Sequence, residues 1–516
     1  MSNKPRYILV VLLALMVAWT LICASVHDTL PVSFELRRLS LPVVTFVLLS
    51  FMLTWHKDKM FAICLAVFGL SAFLESILGA LQMVGAVPSR HPGFNVTGNF
   101  VNPGPYGGYL SLAALTALAF LLKYRPRGWK RVAAVVVGAT SFVMMVFSRS
   151  RSAWLAFAVV GAVLVFSESR IFARLKHKGL IVAAAVVVIV AAGFGAYKLK
   201  PDSARGRFHI WQMDCLVIAD NPLMGTGPGL EMGAFGDVQA DFYASHPRSH
   251  EKMNMASIAE LPFNEFLGAG MSCGIPGLVL AIAVYVLALV IHVRRRSILL
   301  WPLAALGIFA LFSYPLSQAA TTLVFVLCLA DAAAGESMSR KGVIVWGTAA
   351  VLALLIVAPS LSAYAKVKSD KIRYRRLLKA KEFTSMMYPD YYDTQRYSAQ
   401  FLYYYALSEY SSGKIDHAVE LLHEAAPLDS EPFIHTLLGE CMLAQGRYDE
   451  ALQSFLRAYY VSPTRVLPLL KIMGLYKTTG RKDLVREVRD YALSLPVKRT
   501  QTKTLELRKS IRNYEY

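Results

Sequence analysis

Over the first 364 residues, long apolar runs alternate with short polar stretches. A bilayer core near 30 Å takes about 20 residues of helix, fewer where a helix is short or bundled. On that rule the pattern predicts spans near 7–27, 40–55, 61–83, 104–122, 131–147, 152–167, 179–198, 262–292, 298–314, 319–334 and 342–364, about eleven in all. The eighth run is too long for one span and carries Gly274-Ile275-Pro276, where a helix is expected to break. Two polar regions stand apart. One, 199–261, carries charges of both signs; the other, 365–516, has a different period. The expected fold is all-α: a polytopic membrane helix bundle over 1–364 with a large outer loop at 199–261, and a soluble C-terminal domain over 365–516.

The C-terminal period is that of a tetratricopeptide repeat. Within Glu431–Pro463 the small residues Gly439, Gly446, Ala451 and Ala458 stand where two helices must approach closely. Tyr448 and Phe455 fill the space between them, and Pro463 ends the second helix. A second copy lies 33 residues earlier around Gly413, Ile415, Ala418, Leu422 and Ala425, and a weaker third surrounds Gly480 and Ala492. Three repeats are about the minimum for a stable stack. Such a stack offers a concave surface, so it reads as a platform for a protein or peptide ligand, or else as a cap that stabilises the membrane bundle.

Composition agrees with the hydropathy pattern. The chain is 55% hydrophobic and 17% charged, with a mean hydropathy of +0.45. Its net charge of +20 points to the positive-inside rule rather than to nucleic acid. With a cytoplasmic N-terminus the inner segments carry about eighteen Lys and Arg, against five in the short outer loops (Arg37, Arg38, Arg90, Arg149 and Arg151). Eleven spans then place the C-terminal domain outside. The first run, although it follows Lys4 and Arg6 as a signal peptide would, is read as an uncleaved helix. The six cysteines show no CxxC spacing, and neither a disulfide framework nor a metal site is expected.

Arginines at membrane boundaries are costly and so informative. Arg149 and Arg151, in Ser148-Arg-Ser-Arg-Ser, sit at an outer helix junction, and Arg207 opens the large outer loop. A single such residue could snorkel to lipid phosphate; two clusters near the mouth of the bundle suggest an anion site, because guanidinium binds phosphate bidentately and keeps its charge. Glycine-rich turns flank them at Gly98–Tyr109 and Asn221–Gly229, read either as tight turns or as close approach to a ligand. Neither has phosphate-loop or dinucleotide spacing, and no hydrolase or zinc-protease motif is present. Glu75 is the main charge inside a span and is read as a structural hydrogen bonder.

Several short motifs in order resemble the O-antigen ligase and polymerase superfamily of bacterial envelopes. They are Asn102-Pro103 with Tyr109-Leu110, Ser150-Arg151, Arg207-x-x-x-Trp211, Asn221-Pro222 with Gly225-x-Gly227, Phe263-Asn264-Glu265-Phe266-Leu267, and Gly274-Ile275-x-Gly277. The resemblance implies an inner-membrane glycosyltransferase that takes a glycan from undecaprenyl diphosphate on the periplasmic side. It passes the glycan to an acceptor hydroxyl in one inverting step, without metal, nucleotide sugar or other cofactor. By this mapping Arg151 and Arg207 hold the diphosphate, with Arg149 in reserve, and Asn102, Trp211 and Asn264 contact substrate. Ligases of this family usually carry His directly before the Asn that opens the eighth span; here Phe263 stands there. The acceptor base is then sought among His246, His250, Glu260 and Glu265.

The acceptor remains open between a lipid A core, a growing glycan and a protein hydroxyl, the last being a protein O-oligosaccharyltransferase. A transporter or flippase would be expected to show two-half symmetry and more interior charge. A scaffold acting through its repeats would need one anchor helix rather than eleven.

Overall fold

The computed structural model describes residues 4–27, 32–168, 201–246, 256, 261–334, 340–495 and 502–514. These residues form helices and no strand, with one isolated backbone bridge between His91 and Phe94. In chain order the first helices are α1 (Lys4–Val26), α2 (Val32–Trp55), α3 (Lys57–Met83), α4 (Pro103–Tyr124), α5 (Trp129–Phe147) and α6 (Arg151–Glu168). The expected span at 179–198 lies outside the described residues. Next come α7 (Pro201–Asp220), α8 (Glu231–Ser245), α9 (Glu265–Arg295), α10 (Leu300–Phe312), α11 (Ala319–Ala333) and α12 (Arg340–Ala380). Six described helices are long and apolar enough to cross a membrane, and three shorter apolar ones accompany them. The chain is a multi-pass membrane protein.

The centre of the bundle is α4, where Pro105–Ala117 is an unbroken buried run. Its glycines allow this: a Cβ on Gly107 would lie 2.3 Å from Ser148 Oγ, and one on Gly108 would lie 2.3 Å from the Phe309 ring. The N-termini of α4 and α6 and the C-termini of α5 and α10 therefore meet at one end. The opposite end gathers the basic loops, where His292 and Arg295 of α9 reach the Cys328 and Asp331 carbonyls of α11. At about 20 Å each, α10 and α11 are shorter than a bilayer core is thick. They are lodged inside the bundle, where Leu303, Leu306, Phe309, Leu327 and Cys328 are buried.

The eighth span breaks as its sequence suggested. Cys273 and Gly274 leave helical geometry inside α9, Gly274 with φ +69°. The open carbonyls at the break are taken up from outside: Trp19 Nε1 donates to Cys273 O at 2.9 Å, Thr226 N to Met271 O at 2.8 Å and Gly227 N to Ser272 O at 3.1 Å. The turn Asn221–Gly229 thus acts as a brace for the break. Gly225, at φ +65°, would place a Cβ 2.5 Å from that backbone. The other glycine-rich turn is held by Glu75, whose carboxylate accepts from Asn99 N and Asn99 Nδ2 at 2.9 Å. Both turns serve the scaffold.

Beyond residue 380 the chain continues as α13 (Tyr388–Gln395) and the pairs α14 (Ala399–Ser411)/α15 (Ile415–Ala425), α16 (Pro432–Ala444)/α17 (Tyr448–Val461) and α18 (Leu467–Thr478)/α19 (Lys482–Ser494), then α20 (Thr502–Arg512). This is tetratricopeptide-like packing. Ala451, Phe455 and Ala458 are fully buried. A Cβ on Gly439 would meet the Phe455 ring at 2.5 Å, so this glycine is what lets α16 lie against α17. Helix α12 runs 41 residues through the 364/365 boundary without a break, so bundle and repeats share one helix.

Candidate functional site

Helix α7 carries the site. Its apolar stripe of Ile210, Met213, Val217 and Ile218 packs on Phe235 of α8 and Met271 of α9, forming a small core of its own. That fixes the rotation of the helix and directs Arg207, one turn before Ile210, toward the start of α9 and the end of α10. There the Arg207 guanidinium carbon lies 5.5 Å from the centroid of the Phe263 ring. Phe263 meets Tyr314 edge-on at 5.2 Å, and Trp211, one turn beyond Arg207, contacts Phe312 at 5.8 Å. An aromatic seat from the ends of α9 and α10 holds the arginine.

Arg151, the first residue of α6, is close enough to act on Arg207. Burial draws the Arg207 pKa below the ordinary arginine range, the Arg151 charge lowers it further, and Tyr314 opposes them. A guanidinium as a class keeps its charge at neutral pH. Two guanidinium groups that feel each other's charge, one of them partly desolvated over an aromatic ring, are an arrangement whose repulsion an anion would relieve.

Glu265 joins the same corner. Its Oε1 accepts from Leu316 N at 2.6 Å, in the Pro315–Ser317 turn that follows Tyr314. The other expected residues divide. Asn264 caps α9, its Oδ1 accepting from Phe266 N at 3.0 Å and Leu267 N at 3.1 Å. Asn102 caps α4, accepting from Gly104 N at 2.9 Å. The carboxamide oxygens of both are thus committed to helix ends. Arg149 is exposed, with φ +56°, at the tip of the α5–α6 turn. His246 stacks on Phe242 of its own helix at 4.4 Å, at the exposed end of α8. His250 and Glu260 lie outside the described residues.

Two residues of this region escaped the sequence reading. Tyr314 closes an apolar run and only its place before Pro315 marks it as a turn residue. Asp214 lies two turns after Arg207, fully buried, and neither carboxylate oxygen has a hydrogen-bond partner. Burial pushes its carboxyl pKa up to about 8. The Trp211 indole N–H, one turn away, is also buried and unpaired. The signal that could have found Asp214 is its place as the one acid on an otherwise apolar stripe. Buried polar groups left unpaired are rare in folded proteins and concentrate where function imposes them.

The fold is that of a multi-pass, all-helical membrane protein followed by a helical-repeat region, with Arg151 and Arg207 placed where each feels the other's charge. Residues 137–282 match the family model described as O-antigen ligase. The match contains every expected site residue except Asn102. Residues 383–458 match the model described as anaphase-promoting complex, cyclosome, subunit 3, over the first two tetratricopeptide-like pairs. No curated protein matches the chain. These matches agree with the resemblance carried by the motifs and support a lipid-linked glycan transferase of the ligase or polymerase type.

Proposed function

We propose that the chain transfers a glycan from undecaprenyl diphosphate to an acceptor hydroxyl at the periplasmic face of a bacterial inner membrane. The observation that carries this reading is the pairing of Arg207 with Arg151 at one end of the bundle. In the proposed step the acceptor oxygen attacks the anomeric carbon from the side opposite the diphosphate, which inverts that centre. The carbon–oxygen bond to phosphate breaks, and its electron pair stays on the leaving diphosphate. Charge builds there during the reaction, and fixed guanidinium groups in a poorly solvated niche compensate it without a metal or a nucleotide sugar. The acceptor proton goes to a base. Glu265 is the assigned candidate, since the turn after Tyr314 holds its carboxylate beside the aromatic seat of Arg207.

In this reading residues 1–364 are the transfer unit, with 199–261 as its periplasmic loop, and 365–516 are a periplasmic repeat domain. The acceptor is a lipid A core or a growing glycan; a protein hydroxyl is the second reading, favoured by the appended repeats, which in general bind peptides. The test compares surface-polysaccharide ladders from cells with and without the chain, and from cells carrying Arg207→Ala. A ladder that vanishes or collapses to one repeat in both the deletion and the variant supports the reading. A ladder indifferent to the loss of the chain refutes an envelope-glycan substrate.

A further inference from the structure

The repeats and the arginine helix are joined by α8, which packs on both. One face of α8 carries Phe235, Val238 and Phe242 into the small core that orients α7. The opposite face approaches the repeats at backbone distance. A Cβ on Gly233 would lie 2.1 Å from Pro427 O, and one on Gly236 would lie 2.5 Å from Ser430 Cβ. Along the same face Arg457 of α17 bridges two acids of α8, with Nε 3.1 Å from Asp237 Oδ1 and Nη1 2.8 Å from Asp241 Oδ1.

Between the two faces runs a buried polar chain. Gln239, fully buried, donates from Nε2 to Val461 O at the end of α17 at 2.6 Å. Its amide oxygen then faces His209 Nε2 at 3.1 Å, so that ring nitrogen carries the proton. His209 is two residues from Arg207. Tyr243 OH completes the set at 3.4 Å from the same nitrogen. A helix side chain that spans from a repeat carbonyl to the arginine helix fixes the distance between them, because each buried polar group needs its partner.

We infer that the repeat domain positions Arg207: its contacts through Arg457 and Gln239 onto α8 set the placement of α7, so the repeats control the diphosphate site from outside it. The inference rests on the site reading above. It gives the repeats a role in the transfer itself, so that a ligand bound to them would act on donor affinity. Arg457 and Gln239 are positioning residues in this account, distant from the reacting atoms.

The experiment measures binding of undecaprenyl diphosphate to the full-length protein in nanodiscs, with amide hydrogen exchange along 201–220 in the same samples. Arg457→Glu gathers three acids at one edge and should open the contact, weakening binding by about 10-fold and speeding exchange in α7. Adding Asp237→Arg and Asp241→Arg to it restores opposite charges and should bring both readouts back to within about 2-fold of wild type. Gln239→Leu should weaken binding without charge change. The side chains of Arg457, Asp237 and Asp241 are partly exposed, so Arg457→Glu leaves the protein folded, and the charge swap separates lost positioning from general damage. Wild-type binding in Arg457→Glu, or no recovery in the swap, overturns the coupling if Arg207→Ala still abolishes binding. Wild-type binding in Arg207→Ala instead overturns the site reading and the inference with it.

Discussion

The Arg207 guanidinium lies over the Phe263 ring, 5.5 Å from its centroid, and that ring stands edge-on to Tyr314. Phe263 itself adopts φ +52°, a left-handed conformation unusual for a bulky residue, just before the Asn264 cap of α9. Backbone strain of this kind persists where surrounding structure holds it and concentrates at functional sites. Here it turns the ring beneath the arginine. Cation–π contacts contribute about 0.5–2 kcal/mol, more where desolvated. Phe263→Ala is therefore expected to weaken donor binding by about 3- to 30-fold. Phe263→Tyr should stay near wild type, as a direct binding measurement on both variants will show.

Arg149 and Arg151 are separated by one residue, and the proposed function gives them different roles. Arg149 is exposed at φ +56°, a conformation that costs an L-residue about 1–2 kcal/mol and glycine almost nothing. Arg149→Gly should leave transfer unchanged and the melting temperature equal or higher. Arg151→Ala should lower transfer on the order of 100-fold, as expected for removing a charge-stabilising donor. Glycan transfer assayed at matched protein levels distinguishes the two.

Asp214 gives a pH dependence of stability with a definite sign. Its folded pKa, raised by burial to about 8, lies above the ordinary 3.8. Between those values the folded chain binds more protons than the unfolded chain, so stability falls as pH rises through the window and levels off above it. Asp214→Asn keeps the shape and removes the titration. The variant should gain on wild type steadily from pH 4 to pH 8, read from thermal unfolding at several pH values. Equal slopes in the two proteins would show that Asp214 is not the group responsible.

Much of this was legible in the sequence, for physical reasons that differ by region. Apolar run length marked the long apolar helices such as α1, α3 and α4, and the glycines at 413, 446 and 480 located the repeat turns because each takes a positive φ there. Motif order singled out Arg151 and Arg207 as candidates, and in the fold the charge of Arg151 acts on Arg207. What escaped depends on long-range packing. Asn102 and Asn264 stand in the motifs yet spend their side-chain oxygens on helix caps, a use that a short motif does not distinguish from ligand contact. Tyr314 reaches the site only because α10 is short and lodged in the bundle. The docking of α8 on α17 joins residues more than 200 positions apart, such as Asp237 and Arg457, and no local pattern marks that pair.

The repeat stack has one contact where a single methyl decides. Gly439→Ala would drive its Cβ to 2.5 Å from the fully buried Phe455 ring, which has no room to swing. Overpacking of this kind costs about 1–3 kcal/mol. The melting transition of the full-length protein should drop accordingly, and Phe455→Leu in the same chain should recover part of the loss.

The most direct measurement of the central claim is the binding isotherm of undecaprenyl diphosphate to the full-length protein in nanodiscs, taken for wild type, Arg207→Ala, Arg151→Ala and Arg207→Lys. The account predicts saturable binding by wild type, at least about a 10-fold loss in each alanine variant, and only partial recovery with lysine, which lacks the bidentate fork. Equal affinity in all four proteins, each folded and membrane-inserted, would contradict it.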